Sequence, residues 1–184
     1  MNPILIDLPE QIETDRLIIR PPRAGEGAIV NAAICESLAE LKSWMPWAQS
    51  APSVDDTEAN LRRAIGKYIA REDLRLQFHL KDGTFVGSSG LHRIDWDVKR
   101  FEIGYWIRTS MAGQGFVTEA VRAIASLALT TLQANRVEIK CDVENARSRK
   151  VAESAGFEFE GILRNDSLDS QNNPRSTAIY SRVP

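Results

Sequence analysis

Cysteine, histidine and unbalanced charge are all scarce in this chain, and each scarcity closes off a class of protein. There are only two cysteines, Cys35 and Cys141, and two histidines among 184 residues. The cysteines lie far apart, without the paired spacing of a zinc site or the density of a disulfide scaffold, so two free thiols in a reducing compartment are expected. No metal centre is predicted. Lys and Arg number 23 against 25 Asp and Glu, a net charge of −2, and no global field draws nucleic acid or an anionic membrane. No apolar run approaches the ~20 residues of a membrane span. The first fifteen residues carry Asp7, Glu10, Glu13 and Asp15 in place of the basic and then apolar start of a signal peptide. The expectation is a cytoplasmic protein with neither nucleic acid nor membrane as partner. Internal repeats, low-complexity tracts and linkers are also missing. At 43% hydrophobic, residues 1–184 are predicted to form a single domain with a sizeable core.

Periodicity supplies the elements. Residues 16–20 (Arg-Leu-Ile-Ile-Arg) read as a strand stopped by Pro21 and Pro22. A helix is predicted over 24–41, broken by Trp44-Met-Pro-Trp47, and a second over 57–71, capped by Asp55 or Asp56. Residues 74–80 and 84–93 read as strands around the turn Lys81-Asp82-Gly83, and 98–108 as a third long strand. Apolar residues recur at three- and four-residue intervals over 117–132 (Val117, Val121, Ile124, Leu127, Ala128), the signature of an amphipathic helix. A buried strand over 136–143, a short helix over 145–154 ended by Gly156, and strands over 157–168 and 176–183 close the chain. Consecutive strands favour antiparallel pairing, and the helix over 117–132 permits one parallel crossover. The predicted fold is α+β: a mixed, mostly antiparallel sheet of about seven strands flanked by about four helices.

The turn between the strand over 98–108 and that helix holds Gly113-Gln-Gly115 followed by Phe116, Val117 and Thr118. Glycine permits torsions that other residues resist and lets the main chain approach a ligand closely. A helix N-terminus adds free N–H groups at the positive end of the dipole, which suits an anion such as phosphate. Two known phosphate loops do not match. A P-loop needs Lys and then Ser or Thr after its last glycine, and a dinucleotide fingerprint needs a third glycine near the position Thr118 holds.

A third pattern does match. Glu13-Thr-Asp-Arg-Leu-Ile-Ile-Arg20, Phe101-Glu-Ile-Gly-Tyr-Trp-Ile107, Gly113-Gln-Gly-Phe-Val-Thr-Glu-Ala120, Asn135-Arg-Val-Glu-Ile139, Asn145-Ala-Arg-Ser148 and Ser154-Ala-Gly-Phe-Glu-Phe-Glu-Gly161 follow one another across nearly the whole chain. In that order and spacing they resemble the GNAT N-acetyltransferases, in particular the subgroup that includes the ribosomal-protein N-terminal acetylases. Ala112 and Val117 depart from the family loop, which usually has Gln or Arg at the first place and Gly or Ala at the second. The resemblance implies an enzyme that uses acetyl-CoA as cosubstrate. Its pyrophosphate would lie on Gly113, Gln114, Gly115, Phe116, Val117 and Thr118, mainly through backbone N–H groups. The pantetheine would insert as a surrogate strand along the main chain of Tyr105, Trp106 and Ile107, with Asn145 as a further contact. Ser148, near the thioester sulfur, would be the acid. The implied acceptor is an amine: the N-terminus of a ribosomal or other protein, or else a polyamine or antibiotic. A non-catalytic acyl-CoA-binding module is a further alternative, and relatives suggest a homodimer.

Amide formation from a thioester needs a proton acceptor for the amine and a donor for the leaving thiolate. Alternation puts Glu102, Gly104 and Trp106 on one face of their strand and Ile103, Tyr105 and Ile107 on the other. Glu102 is the leading candidate base, with an ion pair to Arg93 or Arg100 as its structural counterpart. His92 is the rival. Trp44 and Trp47 flank a proline between the first two helices, where they would wall an acceptor groove or plug the core. Cys141 gives no sign of an exposed nucleophile, so direct transfer in a ternary complex is expected rather than an acyl-enzyme.

Overall fold

The computed structural model describes residues 2–169 and 172–184. The chain runs β1 (Ile12–Glu13), β2 (Leu17–Arg20), α1 (Gly27–Glu36), α2 (Leu38–Lys42), α3 (Val54–Ala70), β3 (Leu74–Leu80), β4 (Phe85–Asp95), β5 (Arg100–Ile103) and β6 (Trp106–Ile107). It continues with α4 (Phe116–Thr130), β7 (Arg136–Asp142), α5 (Ala146–Ser154), β8 (Glu158–Leu168) and β9 (Pro174–Arg182). The strands form one sheet in the order β1-β2-β3-β4-β5-β7-β9-β8, with β6 paired to β4. Every pairing is antiparallel except β5 with β7, which α4 joins by the expected crossover. The architecture is mixed α+β, with two more strands and one more helix than the sequence suggests.

Three boundaries differ from the sequence reading, each for a local reason. The helix expected over 24–41 breaks at Ser37, which is fully buried and accepts the Thr109 N–H at 2.9 Å on its Oγ. The next helix begins at Val54, because Ser53 and not an aspartate is its cap: Ser53 Oγ accepts the Asp56 N–H at 3.0 Å. Asp55 and Asp56 instead occupy the first turn, where the dipole favours their charge. The long strand expected over 98–108 is two strands, interrupted at Gly104 and Tyr105.

The core lies between the sheet and α4. Val121, Ile124, Ala125 and Ala128 have no exposed surface and pack against Leu17, Phe78, Leu91, Phe101, Ile103 and Val137. Truncating such a buried isoleucine to alanine costs roughly 2–5 kcal/mol. A smaller cluster of Val30, Ala33, Ile34, Leu61 and Phe85 seats α1 and α3 on the opposite face, with Trp106 packed against it. The sheet thus carries α4 and α5 on one face and α1 and α3 on the other.

The interruption at Gly104 positions the functional region. Parallel pairing between β5 and β7 ends at Glu102↔Glu138. Beyond it β7 continues to Asp142 paired to β9, while β6 stays in register with β4, Ser88 opposite Trp106 and Gly87 opposite Ile107. Two neighbouring strands therefore separate, and their facing main-chain groups lack each other as partners. The α1 C-terminus holds the segment after β6 in place: Glu36 accepts from Arg108 Nε at 2.5 Å and from the Ser110 N–H at 2.9 Å.

Candidate active site

The glycine turn follows β6 and leads into α4. Gly113 and Gly115 have φ of +78° and +81°, torsions that residues with a Cβ rarely adopt. Gly115 is the N-cap of α4 and supplies no side-chain cap. Among the described residues, no hydrogen-bond acceptor meets any N–H of residues 113–118. A row of unpaired donors at a helix N-terminus fits a pyrophosphate. Arg16 steadies the turn, a role the sequence reading did not give it. Its Nη1 donates to the Gln114 carbonyl at 2.9 Å, and its guanidinium lies 4.5 Å from the Phe116 ring centroid. The same side chain pairs with Glu119 at 2.6 Å, and Thr14 Oγ1 donates to Glu119 at 2.6 Å. The signal was present in the motif 13–20, but only the tertiary fold brings β2 beside α4.

On the α5 side of the opening, Tyr105 Oη lies 3.0 Å from the Ser148 carbonyl, to which it donates, and 2.9 Å from Ser148 Oγ. Asn145 Oδ1 accepts the Ser148 N–H at 3.0 Å, so Asn145 caps α5 and brings Ser148 to the cleft. Burial pushes the Tyr105 phenol up, so it stays protonated. Cys141 is half-buried on β7 beside this pair, and burial pushes its thiol up as well, so it is held as the thiol. Arg149 turns inward, donating to Tyr180 Oη at 3.1 Å.

On the opposite face, strand alternation sets Glu102, Gly104 and Trp106 toward α1 and α3. There a cavity of about 530 Å³ reaches Gly104, Tyr105 and Trp106. His92 lines it and is hydrogen-bonded through Nδ1 to Asp73 Oδ2 at 2.7 Å. A Cβ placed on Gly104 would lie 3.8 Å from His92 Nε2, so the free ring nitrogen borders the point where the strands part. Burial pushes the Asp73 carboxyl up, but its bond to His92 and the charges of His92, Arg75 and Lys67 outweigh this and leave it lowered.

Glu102 is cross-strand neighbour to His92 but does not line the cavity. It is 6% exposed, ion-paired to Arg93 and 3.7 Å from Lys140 Nζ. Burial pushes its carboxyl up against the pull of both cations, and its Oε2 has no hydrogen-bond partner among the described residues. The two tryptophans are separated. Trp47 lines the cavity, edge-on to Trp106 with centroids 6.2 Å apart. Trp44 lies under the Arg175 guanidinium, beside a second hollow bordered by Asp142 and Glu144.

Known proteins share this fold. The acetyltransferase (GNAT) domain model matches residues 16–158. The chain is 29% identical over 155 residues to the ribosomal-protein-serine acetyltransferase of Escherichia coli, covering 82% of this chain and 83% of that one. Two solved structures share its fold at a TM-score of 0.88. One is the microcin self-immunity acetyltransferase MccE in complex with acetyl-CoA and AMP, 23% identical over 96% of this chain and 98% of that one. The other is the ribosomal α-N-protein acetyltransferase RimL in complex with coenzyme A, 21% identical over 95% and 98% of the two chains. With a matching domain model spanning most of its length, the chain belongs to the GNAT acetyltransferase family.

Proposed function

We propose that this protein transfers acetyl from acetyl-CoA directly to a primary amine, the N-terminal amine of a ribosomal or other protein, in a ternary complex in the cytoplasm. The observation that carries the reading is the parting of β6 from β7, with a distinct chemical group on each side of it. Bound acetyl-CoA supplies an acetyl thioester. The unpaired N–H groups of residues 113–118 hold the pyrophosphate, and the main chain of Tyr105, Trp106 and Ile107 orients the pantetheine along β6. Position alone contributes much of the rate, because amine and carbonyl meet without a search.

His92 is the base. It lines the acceptor cavity and Asp73 fixes its tautomer, leaving Nε2 to accept the amine proton. Glu102, held between Arg93 and Lys140, keeps the strands in register one position further on. Tyr105 and Ser148 form the acid on the other face. The phenol turns from the Ser148 carbonyl to donate to the departing sulfur, Ser148 Oγ, within 2.9 Å, donates a hydrogen bond to the phenolate so formed, and bulk water returns its proton. Trp47 walls the acceptor side. The relative that acetylates a ribosomal-protein serine supports a protein N-terminus as acceptor.

Thiol release from acetyl-CoA in the presence of N-terminal peptides and small amines tests the reading. An enzyme of this kind releases coenzyme A with at least one acceptor, and acetyl-CoA binding without release in any case would overturn it. His92→Ala is expected to lower kcat by about 10²–10⁴-fold with unchanged acetyl-CoA affinity. A loss of that size in Glu102→Gln, with His92→Ala near wild type, would transfer the base role to Glu102.

A further inference from the structure

The acceptor cavity has an asymmetry that amine transfer alone does not require. Strand register arranges its floor in rows: Gln77 opposite Ser88 and Trp106, Arg75 opposite Gly90, and Asp73 joined to His92. The middle row is empty of side chains next to Arg75. Gly90, at φ +146°, has no room for a Cβ, which would lie 2.5 Å from the Leu74 carbonyl oxygen. Gly104 completes that row between Glu102 and Trp106. The result is a bare floor between the proposed base and a half-buried guanidinium.

That guanidinium is committed to a neutral partner only, Asn60 Oδ1 at 2.5 Å, and forms no ion pair among the described residues. The carboxylate nearby in its field, Asp73, is engaged by His92. One row frames the same floor with an unused acceptor: Gln77 is 1% exposed, lines the cavity, and its Oε1 has no hydrogen-bond partner among the described residues. A buried amide oxygen without a donor costs free energy that a ligand N–H would recover. The charged side chains on the wall are Arg63, Arg75 and Asp56, two guanidiniums against one carboxylate. Asp56 is already engaged by Ser53 at the α3 cap. With the Asp73 carboxylate beside His92 the charges balance, so the draw for an anion is local: the Arg75 guanidinium, which lines the cavity and pairs with no carboxylate among the described residues, matches a carboxylate.

We infer that the acceptor is an amine that also bears a carboxylate, bound by Arg75, with Gln77 Oε1 taking an N–H of the same molecule. The inference rests on the proposed function. A side-chain carboxylate at the second residue of a peptide and the α-carboxylate of a free amino acid present the same chemistry.

Calorimetry on the full chain, with and without saturating acetyl-CoA, separates these sources. The probes are Ser-Asp-Ala amide against Ser-Asn-Ala amide, and serine against serinamide. A charged hydrogen bond in a partly dry site predicts that one carboxylate-bearing probe binds about tenfold tighter than its amide twin. Whichever pair shows the preference identifies the source. In Arg75→Gln that preference falls below about twofold while the amide twin is unaffected, and Arg75→Lys retains part of it because charge survives without the fork. Equal affinities of both twins in the wild type would overturn the inference, as would equal losses for both in Arg75→Gln, which mark a structural role. Coenzyme A release with the same probes reads the enzyme proposal separately. If neutral acceptors alone are acetylated, only the carboxylate inference fails; if none is acetylated, the binding preference still decides it.

Discussion

The loop that faces the cofactor and the cavity that faces the acceptor are built from different parts of the chain. On the loop side the working groups are main-chain N–H donors of residues 113–118, and the glycines matter for their torsions. On the cavity side the working groups are side chains: His92 with Asp73, Arg75, Gln77 and Trp47, from two strands and the segments before β3 and α3. A main-chain site tolerates most side-chain changes and punishes changes of torsion. A side-chain site does the reverse. The contrast explains how Ala112 and Val117 depart from the family pattern without removing any of the N–H donors.

Substitutions sharpen this contrast, and after His92→Ala the largest effect is expected at the loop. Gly115→Val forces a β-branched residue to φ +81° at the α4 cap. Strain of up to about 3 kcal/mol predicts acetyl-CoA binding weakened by as much as a hundredfold, read by titration calorimetry, with folding checked by circular dichroism. Wild-type affinity in that variant would break the main-chain account. Tyr105→Phe and Ser148→Ala come next. Each is expected to reduce kcat by about 10²-fold, the low end for a general acid, and the double variant by little more than either, because the two hydroxyls act as one hydrogen-bonded pair. Single-turnover kinetics distinguish that from independent contributions.

The acceptor face also predicts a pH response. His79 is buried beside Arg20, and burial together with the charges of Arg20 and Arg23 pulls its imidazole down to about 4. Its folded value is below its unfolded value of about 6.5, so the unfolded chain binds more protons in between. Stability is therefore complete above about pH 6.5 and falls as the pH drops toward about 4, by at most about 3 kcal/mol. Urea titrations from pH 7.5 to 4 measure the slope, and His79→Phe is expected to flatten it. The smallest effects separate the two tryptophans and the loop side chain. Trp47→Ala should raise the acceptor KM several-fold while Trp44→Ala does not. Gln114→Ala should change acetyl-CoA affinity less than twofold, since the loop uses Gln114 through its backbone.

Much of the fold was readable because local signals agreed with the tertiary result. The 117–132 periodicity became α4, and Asn145 became the α5 cap as its position before Ala146 suggested. What escaped were features set by distant partners. Ser37 breaks a helical pattern because Thr109 needs an acceptor. The strand expected over 98–108 divides because β7 leaves it after Glu138, which no property of residues 104 and 105 alone announces. His92, solitary in the sequence, gains a role once Asp73, just before β3, comes within 2.7 Å. Trp44 and Trp47, three positions apart, read as a pair in the sequence, and the turn between them points them to different hollows.

By itself the sequence determined the glycine-bearing turn, the helix that follows it and the order of the elements, because each depends on residues adjacent in the chain. It therefore also determined the family. Only the tertiary structure decided that the strands beside Gly104 part, that an imidazole and a phenol stand on opposite faces of the opening, and that Arg75 forms no ion pair among the described residues. Those facts depend on register between strands far apart in sequence, where a side chain's partner is set by packing and not by its neighbours.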